Sequence, residues 1–90
     1  MGQRTTKVTV RLHETVEDVF DEFLVSLQSM FSNQATVTVG RVGQGHESFN
    51  LRVGDTARAF GHLEVRLLTV NDDAHAATVL VADVRETPGG

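Results

Sequence analysis

Hydrophobic and polar residues alternate along the first segment of the chain, residues 5–12. Val8, Val10 and Leu12 share one parity, and the residues between them are polar or basic. A period of two residues is typical of a β-strand that buries one face and exposes the other. The segment therefore predicts a strand.

The period changes over residues 15–31, which read TVEDVFDEFLVSLQSMF. Apolar residues recur there at spacings of three and four, which predicts an amphipathic α-helix with a broad apolar face. Thr15 is a favourable N-cap, and acidic side chains fill the first two turns, where the helix dipole favours them. Val25 is the apolar residue that breaks the pattern. The helix positions expected to face the core are Val16, Val19, Phe20, Phe23, Leu24, Leu27, Met30 and Phe31.

Alternation returns after residue 34, and glycine-rich or Asn-Asp turns separate the segments. No internal repeat or low-complexity tract is apparent. The order of strand, helix and then a run of strands predicts an α+β domain, in which one amphipathic helix packs on one face of a four- to five-stranded, mostly antiparallel sheet. The further strands are predicted at residues 35–42, 48–53, 62–70 and 76–84, with a short strand or connector near residue 58.

The length of 90 residues predicts one domain, with residues 1–4 and 86–90 as flexible tails. The chain has a net charge of −4, no tryptophan and no tyrosine, so we expect no nucleic-acid partner. Cysteine is absent, which excludes disulfides and thiolate ligands. No apolar run reaches the ~18 residues of a membrane span, and the first residues do not resemble a signal peptide, so we expect a cytoplasmic protein without a membrane partner.

Candidate chemistry is sparse. The four histidines lie at predicted turns or strand ends, and no two of them have the spacing that aims two imidazoles at one metal. The glycines between Gly40 and Gly45 precede a strand, whereas a phosphate-binding loop opens a helix. No nucleophile and base share a helical spacing. We therefore expect no catalytic residue, no cofactor and no metal, and a non-enzymatic function.

The last two predicted strands are apolar on both faces. One helix covers only one side of a sheet, so the second apolar face predicts an interface. Closed two-fold pairing is the commonest way to cover such a face, and the expected assembly is a symmetric homodimer. The predicted interface residues are Leu68, Val70, Leu80, Ala82 and Val84.

Basic side chains occupy outward positions of several predicted strands. They are expected to form a charged docking face opposite the acidic side of the helix, and such a face suits an acidic partner protein or head-to-tail self-association. The residues of this face are Lys7, Arg11, Arg52 and Arg66.

Two local resemblances complete the picture. Residues 51–70, LRVGDTARAFGHLEVRLLTV, resemble the first hairpin of the carbon storage regulator family, but the basic C-terminal segment which that family uses on RNA is absent here. The terminal Gly89 and Gly90 resemble the tail of ubiquitin-like and sulfur-carrier proteins, which activate the last glycine carboxylate. A small carrier is therefore the alternative to an interaction module, although a β-grasp fold needs a second strand before its helix.

Overall fold

The computed structural model describes residues 4–84, and this range holds eight β-strands and no helix. The strands form two antiparallel sheets of four. Sheet I has the order β1-β8-β7-β6, and sheet II has the order β2-β3-β4-β5. The strands are β1 Arg4–Arg11, β2 Thr15–Val19, β3 Phe23–Phe31, β4 Gln34–Arg41, β5 Gly45–Arg52, β6 Thr56–Ala59, β7 Leu63–Asn71 and β8 Ala76–Asp83.

The predicted helix at residues 15–31 is wrong, and with it the α+β class. That segment forms the hairpin of β2 and β3 in an all-β fold. Phe20 and Asp21 have positive φ angles of 53° and 59°, and the Glu22 amide donates to the Val19 carbonyl, which closes a tight turn. A right-handed helix cannot pass through such a turn. The hairpin places Val19 opposite Phe23.

Val25 decides between the helix and the strand. A helix leaves it on the polar side, whereas the structure buries it completely together with Phe23 and Leu27. These three residues alternate with Leu24 and Ser26, which lie on the other face of β3. A register shift between Val16 and Val19 inserts one extra residue in β2, so apolar residues three apart still point inward. The bulge therefore places apolar residues at a spacing that is also typical of a helix, which explains why a helix was predicted.

The core lies between the two sheets and draws residues from both of them. Phe23 is its largest fully buried side chain, and Val, Leu and Ala supply most of the remainder. Every sheet therefore has one face on the core and one face in solvent, as antiparallel sandwiches do. No buried side-chain nitrogen or oxygen within residues 4–84 lacks a hydrogen-bond partner.

The structure also shows an internal repeat, which the sequence analysis missed. Residues 10–16, VRLHETV, match residues 51–57, LRVGDTA, and residues 35–41, ATVTVGR, match residues 77–83, ATVLVAD. Strands β1–β4 thus correspond to β5–β8. The sheet orders follow the same rule, because β2-β3-β4-β5 becomes β6-β7-β8-β1 when each strand is replaced by its counterpart. The first strand of each half completes the sheet of the other half.

Backbone details repeat with the strands. A register shift follows Leu27 in β3 and Leu67 in β7. The amide of Leu12 donates to a carbonyl of the β7–β8 turn at 2.7 Å, and its counterpart Val53 donates to the β3–β4 turn at 3.0 Å. Phe60 repeats the positive φ of Phe20, at 54° against 53°. The two halves are therefore related by a pseudo-two-fold axis.

The predicted tails lie outside the described residues, except at Arg4. Arg4 is the first residue of β1 and bonds to Asp83 at 2.8 Å, so it is part of the sandwich. Val84 follows β8, and its amide donates to the His62 carbonyl at 2.8 Å. The terminal glycines named above as a carrier tail lie outside residues 4–84.

Candidate functional site

The structure divides the predicted interface residues between the two faces of sheet I, with Leu80 and Ala82 together on the outer face of β8. Val70 packs against the core, and Ala82 is buried at 7 % exposure. Leu68, Leu80 and Val84 are half-buried and lie outside the core cluster.

The reason for the separation is the bulge in β7. Leu67 pairs with Val79 and Thr69 pairs with Thr78, so Leu68 has no residue opposite it. The extra residue returns Val70 to the inner face. The bulge thus explains why apolar residues of this strand fall on both faces in the sequence pattern.

Leu80 occupies the centre of the outer face of sheet I. Lys7 of β1 is its partner on one side, and Arg66 of β7 is its partner on the other. Arg11 lies further along β1 with the same parity as Lys7, and therefore on the same face. Within residues 4–84 these three cations form no ion pair. We call Leu80, Lys7, Arg66 and Arg11 the Leu80 face.

Arg58 and Glu64 form an ion pair on the same outer surface, with side chains 55 % and 35 % exposed. This pair is neutral as a unit, so it leaves the positive charge of the Leu80 face unchanged. Arg52, the fourth residue of the predicted docking face, lies on sheet II opposite Gln34. The structure therefore brings together three of the four predicted cations and places the fourth on the other sheet.

The repeat supplies an internal comparison for this face. The rung Lys7–Leu80–Arg66 in sheet I corresponds to the rung formed by Ser48, Thr38 and Ser26 in sheet II. In sheet II the hydroxyls of Thr38 and Ser48 hydrogen bond at 2.8 Å. The same backbone therefore carries three small hydroxyl side chains on one sheet and a leucine between two cations on the other. The fold does not require the leucine or the cations.

A second polar group lies at one end of the sandwich, and sequence reasoning did not find it. Glu22, Arg41, His62, Asp83 and Arg4 form a closed ring of contacts, which we call the charge network. Arg41 donates to Glu22 at 2.8 Å, and Arg4 donates to Asp83 at 2.8 Å and to Glu22 at 3.3 Å. Nδ1 of His62 lies 3.3 Å from Asp83, and its Nε2 lies 3.3 Å from Arg41.

The charge network rests on aromatic rings. The guanidinium of Arg4 lies 4.7 Å from the centre of the Phe20 ring, and that of Arg41 lies 5.5 Å from Phe23. Phe60 stacks on Phe23 with 6.1 Å between ring centres. The hydrogen bond from Arg4 to Asp83 raises the pKa of the arginine above its ordinary value. The network closes one end of the core with its acids and its arginines balanced.

Chemically this arrangement is complete without a ligand. When Nδ1 of His62 carries the proton, it donates to Asp83, and Nε2 accepts a hydrogen bond from Arg41. The lone pair that a general base uses is therefore engaged by Arg41. The repeat explains the layout, because Glu22 corresponds to His62 and Arg41 to Asp83. These four positions supply one acid and one base from each half in opposite order, and Arg4 is a further base of the first half whose counterpart is Gly45. Aligning the halves is the sequence signal for the four matched positions.

The remaining histidines, His13, His46 and His75, are exposed at or next to turns, as expected. His62 also lies at a turn, but its side chain is only 18 % exposed and belongs to the charge network. Among residues 4–84 no group of three or more histidine, aspartate or glutamate side chains is positioned to hold a metal ion.

No protein-family model, curated protein or solved structure matches the chain. No helix that is long and apolar enough to cross a membrane occurs in the described part of the chain. Function is therefore argued from the surface of this molecule alone.

Proposed function

We propose that the protein is a non-enzymatic interaction module that binds an acidic segment of another protein on the Leu80 face. The observation that carries this proposal is the rung Lys7–Leu80–Arg66, in which two cations that have no ion-pair partner among residues 4–84 flank a half-buried leucine. An apolar anchor between charges of one sign is the pattern that an interface uses for affinity and for charge selection. The rest of the chain repels such a partner, since the net charge is −4.

The positive charge of the Leu80 face favours a different protein as the partner over a second copy of this chain. A symmetric dimer on this face places each cation of one copy against a cation of the other, because a two-fold interface pairs a patch with itself. Like charges across an interface oppose association. An acidic segment removes this repulsion and covers Leu80 at the same time. Head-to-tail contact with the exposed acids Glu17, Asp18 and Asp21 of a second copy is the competing arrangement.

A short segment binds weakly on this face. Covering the exposed part of one leucine gives less than the ~1.5–3 kcal/mol of full burial, and each exposed ion pair adds about 0.2–1 kcal/mol. Together these contributions give a single short peptide a dissociation constant of about one millimolar or weaker. Titration followed by NMR is suited to affinities of this kind.

The test uses the isotope-labelled full chain and three synthetic peptides of sequence EELEE, QQLQQ and KKLKK. We expect EELEE alone to shift the amide signals around Leu80, and we expect the shifts to weaken as salt is added. The repeat supplies the matched variants. Lys7→Ser, Leu80→Thr and Arg66→Ser together copy the sheet II rung into sheet I and should abolish the shifts.

The reverse exchange is the stronger test. Ser48→Lys, Thr38→Leu and Ser26→Arg together copy the Leu80 rung into sheet II, and they should create a second site for EELEE. Binding of EELEE that survives the loss of the sheet I rung contradicts the proposal, as does equal binding of all three peptides. Sedimentation of the wild type at rising concentration detects the competing head-to-tail assembly.

A further inference from the structure

Phe31 is the most exposed ring that the structure describes, at 81 % exposure. It ends β3, on the outer side of sheet II, and pairs with Gln34. A phenylalanine in water at the end of a strand contributes nothing to the core and leaves a large apolar surface uncovered.

A pocket of about 80 Å³ opens beside this ring. Its walls carry hydroxyls, amides and a thioether, and no ionisable side chain lines it. The lining residues are Ser29, Met30, Phe31, Gln34, Ala35, Thr36 and Asn50. A pocket of this size holds part of one small ring, and the exposed face of Phe31 extends it.

The polar groups in the pocket are ordered and only partly used. Ser29 donates to Thr36 at 3.0 Å, and Thr36 donates to the side-chain oxygen of Asn50. The Asn50 amide therefore has a fixed orientation with its NH₂ group remaining to donate. Within the described residues the side chain of Gln34 has no hydrogen-bond partner. Both amides are thus available to a ligand.

A comparison with the other half of the repeat shows which pocket residues are common to both halves and which are not. Ser29, Ala35 and Thr36 correspond to Thr69, Ala77 and Thr78, with the same register. These positions keep their chemistry in both halves, so they belong to the fold.

The groups that face a ligand do differ between the halves. Phe31 corresponds to Asn71, Gln34 to Ala76 and Asn50 to Thr9. At these positions sheet II carries an aromatic ring and two amides, whereas sheet I carries Asn71 in place of the ring, and Ala76 and Thr9 in place of the two amides. The fold therefore does not explain them.

We propose that this pocket binds a neutral carbohydrate, with one sugar ring packed on Phe31 and its hydroxyls bonded to the amides of Gln34 and Asn50. A sugar ring has an apolar C–H face that suits an aromatic ring, and hydroxyls that both donate and accept. No ionisable side chain lines the pocket itself, as suits a neutral ligand, and the cation Arg52 lies opposite Gln34 in the neighbouring strand. Further sugars of a chain can follow the hydroxyl side chains of Thr38 and Ser48 across sheet II.

The test is NMR titration of the labelled full chain with four neutral hexasaccharides, namely cellohexaose, xylohexaose, maltohexaose and laminarihexaose. We expect at least one of them to shift the amide signals of Ser29, Gln34 and Asn50 in a saturable way. Phe31→Ala should weaken that binding about tenfold, since the stacking face is lost. Because Phe31 is exposed, this variant should keep its melting temperature.

Asn71→Ala is the matched control, since it changes the corresponding position of the other half. It should leave binding unchanged. The proposal is overturned if none of the four sugars shifts these signals, or if Phe31→Ala binds as well as the wild type does. The Leu80 face lies on sheet I and this pocket lies on sheet II, so failure at one site leaves the result at the other intact.

Discussion

Removal of the Asp83 carboxylate should destabilise the protein far more than removal of a surface carboxylate. Asp83 is 2 % exposed and is the only fully buried charged side chain among the described residues. It accepts hydrogen bonds from Arg4 at 2.8 Å and from His62 at 3.3 Å. Asp83→Ala removes the acceptor for both donors and leaves a cavity at the end of β8.

The magnitude follows from the exposure of each partner. Breaking a fully buried ion pair costs about 3–5 kcal/mol, because the remaining charge stays without water. Here the guanidinium of Arg4 is 48 % exposed and regains water, so the expected loss of stability lies at or below the lower end of that range. The side chain of His62 is 18 % exposed and loses a hydrogen bond to a charged group, worth about 1.5–3 kcal/mol. We expect Asp83→Ala to lower the free energy of unfolding by about 2–4 kcal/mol.

Urea denaturation measures this loss, and the control is Glu64→Ala. Glu64 pairs with Arg58 on the surface, so the control should cost less than about 1 kcal/mol. A loss of 2–4 kcal/mol lowers the melting temperature of a domain of this size by roughly 10–25 °C. The slope of free energy against urea should stay constant, which shows that the same fold is being unfolded. Equal shifts for Asp83→Ala and Glu64→Ala would refute the reasoning, because the network would then contribute no more than an exposed ion pair does.

Three further outcomes test the fold. Val25→Asp should prevent folding while Leu24→Asp costs little, since Val25 is fully buried and Leu24 lies on the outer face of β3; circular dichroism of both variants checks this, and the opposite order would restore the helix. Phe23→Ala should cost about 3–5 kcal/mol by urea denaturation, and an unchanged midpoint would show that this ring is not the centre of the core. His13→Gly should stabilise the chain by about 0.5–1 kcal/mol and Gly54→Ala should destabilise it by a similar amount, because both positions have positive φ, and equal melting temperatures would show that the backbone relaxes there.

The alternating segments allowed the strands to be predicted. The structure contains the strands expected at residues 5–12, 35–42, 48–53, 62–70 and 76–84 as β1, β4, β5, β7 and β8, within one to three residues of the expected bounds. Alternation is local and is set by the backbone itself, so it survives without knowledge of the partner strand. The hairpin of the last two strands was expected for the same reason and is present as β7 and β8.

The helix prediction for residues 15–31 failed because a bulge and a tight turn together give the apolar residues a helical spacing. Val16 and Val19 are three apart through the bulge, and Val19 and Phe23 are four apart through the turn. Both pairs point inward in a hairpin as they do in a helix. Propensity could not separate the two structures, since Phe20 adopts a positive φ that sequence rules assign to glycine or asparagine. Phe60, the counterpart of Phe20 in the second half, precedes Gly61, so a comparison of the two halves indicates a turn at Phe20.

The two binding proposals depend on the same physical argument. In a chain that carries its own repeat, each half is a control for the other, because matched positions share backbone and register. Where the halves agree, as at Leu27 and Leu67, the fold accounts for the residue. Where they differ at exposed positions, the fold tolerates both choices, and the residue that is costlier to leave in water requires another explanation. Leu80 on sheet I and Phe31 on sheet II are the two clearest cases. Their matched residues, Thr38 and Asn71, show that a polar side chain is sufficient for the structure at both places.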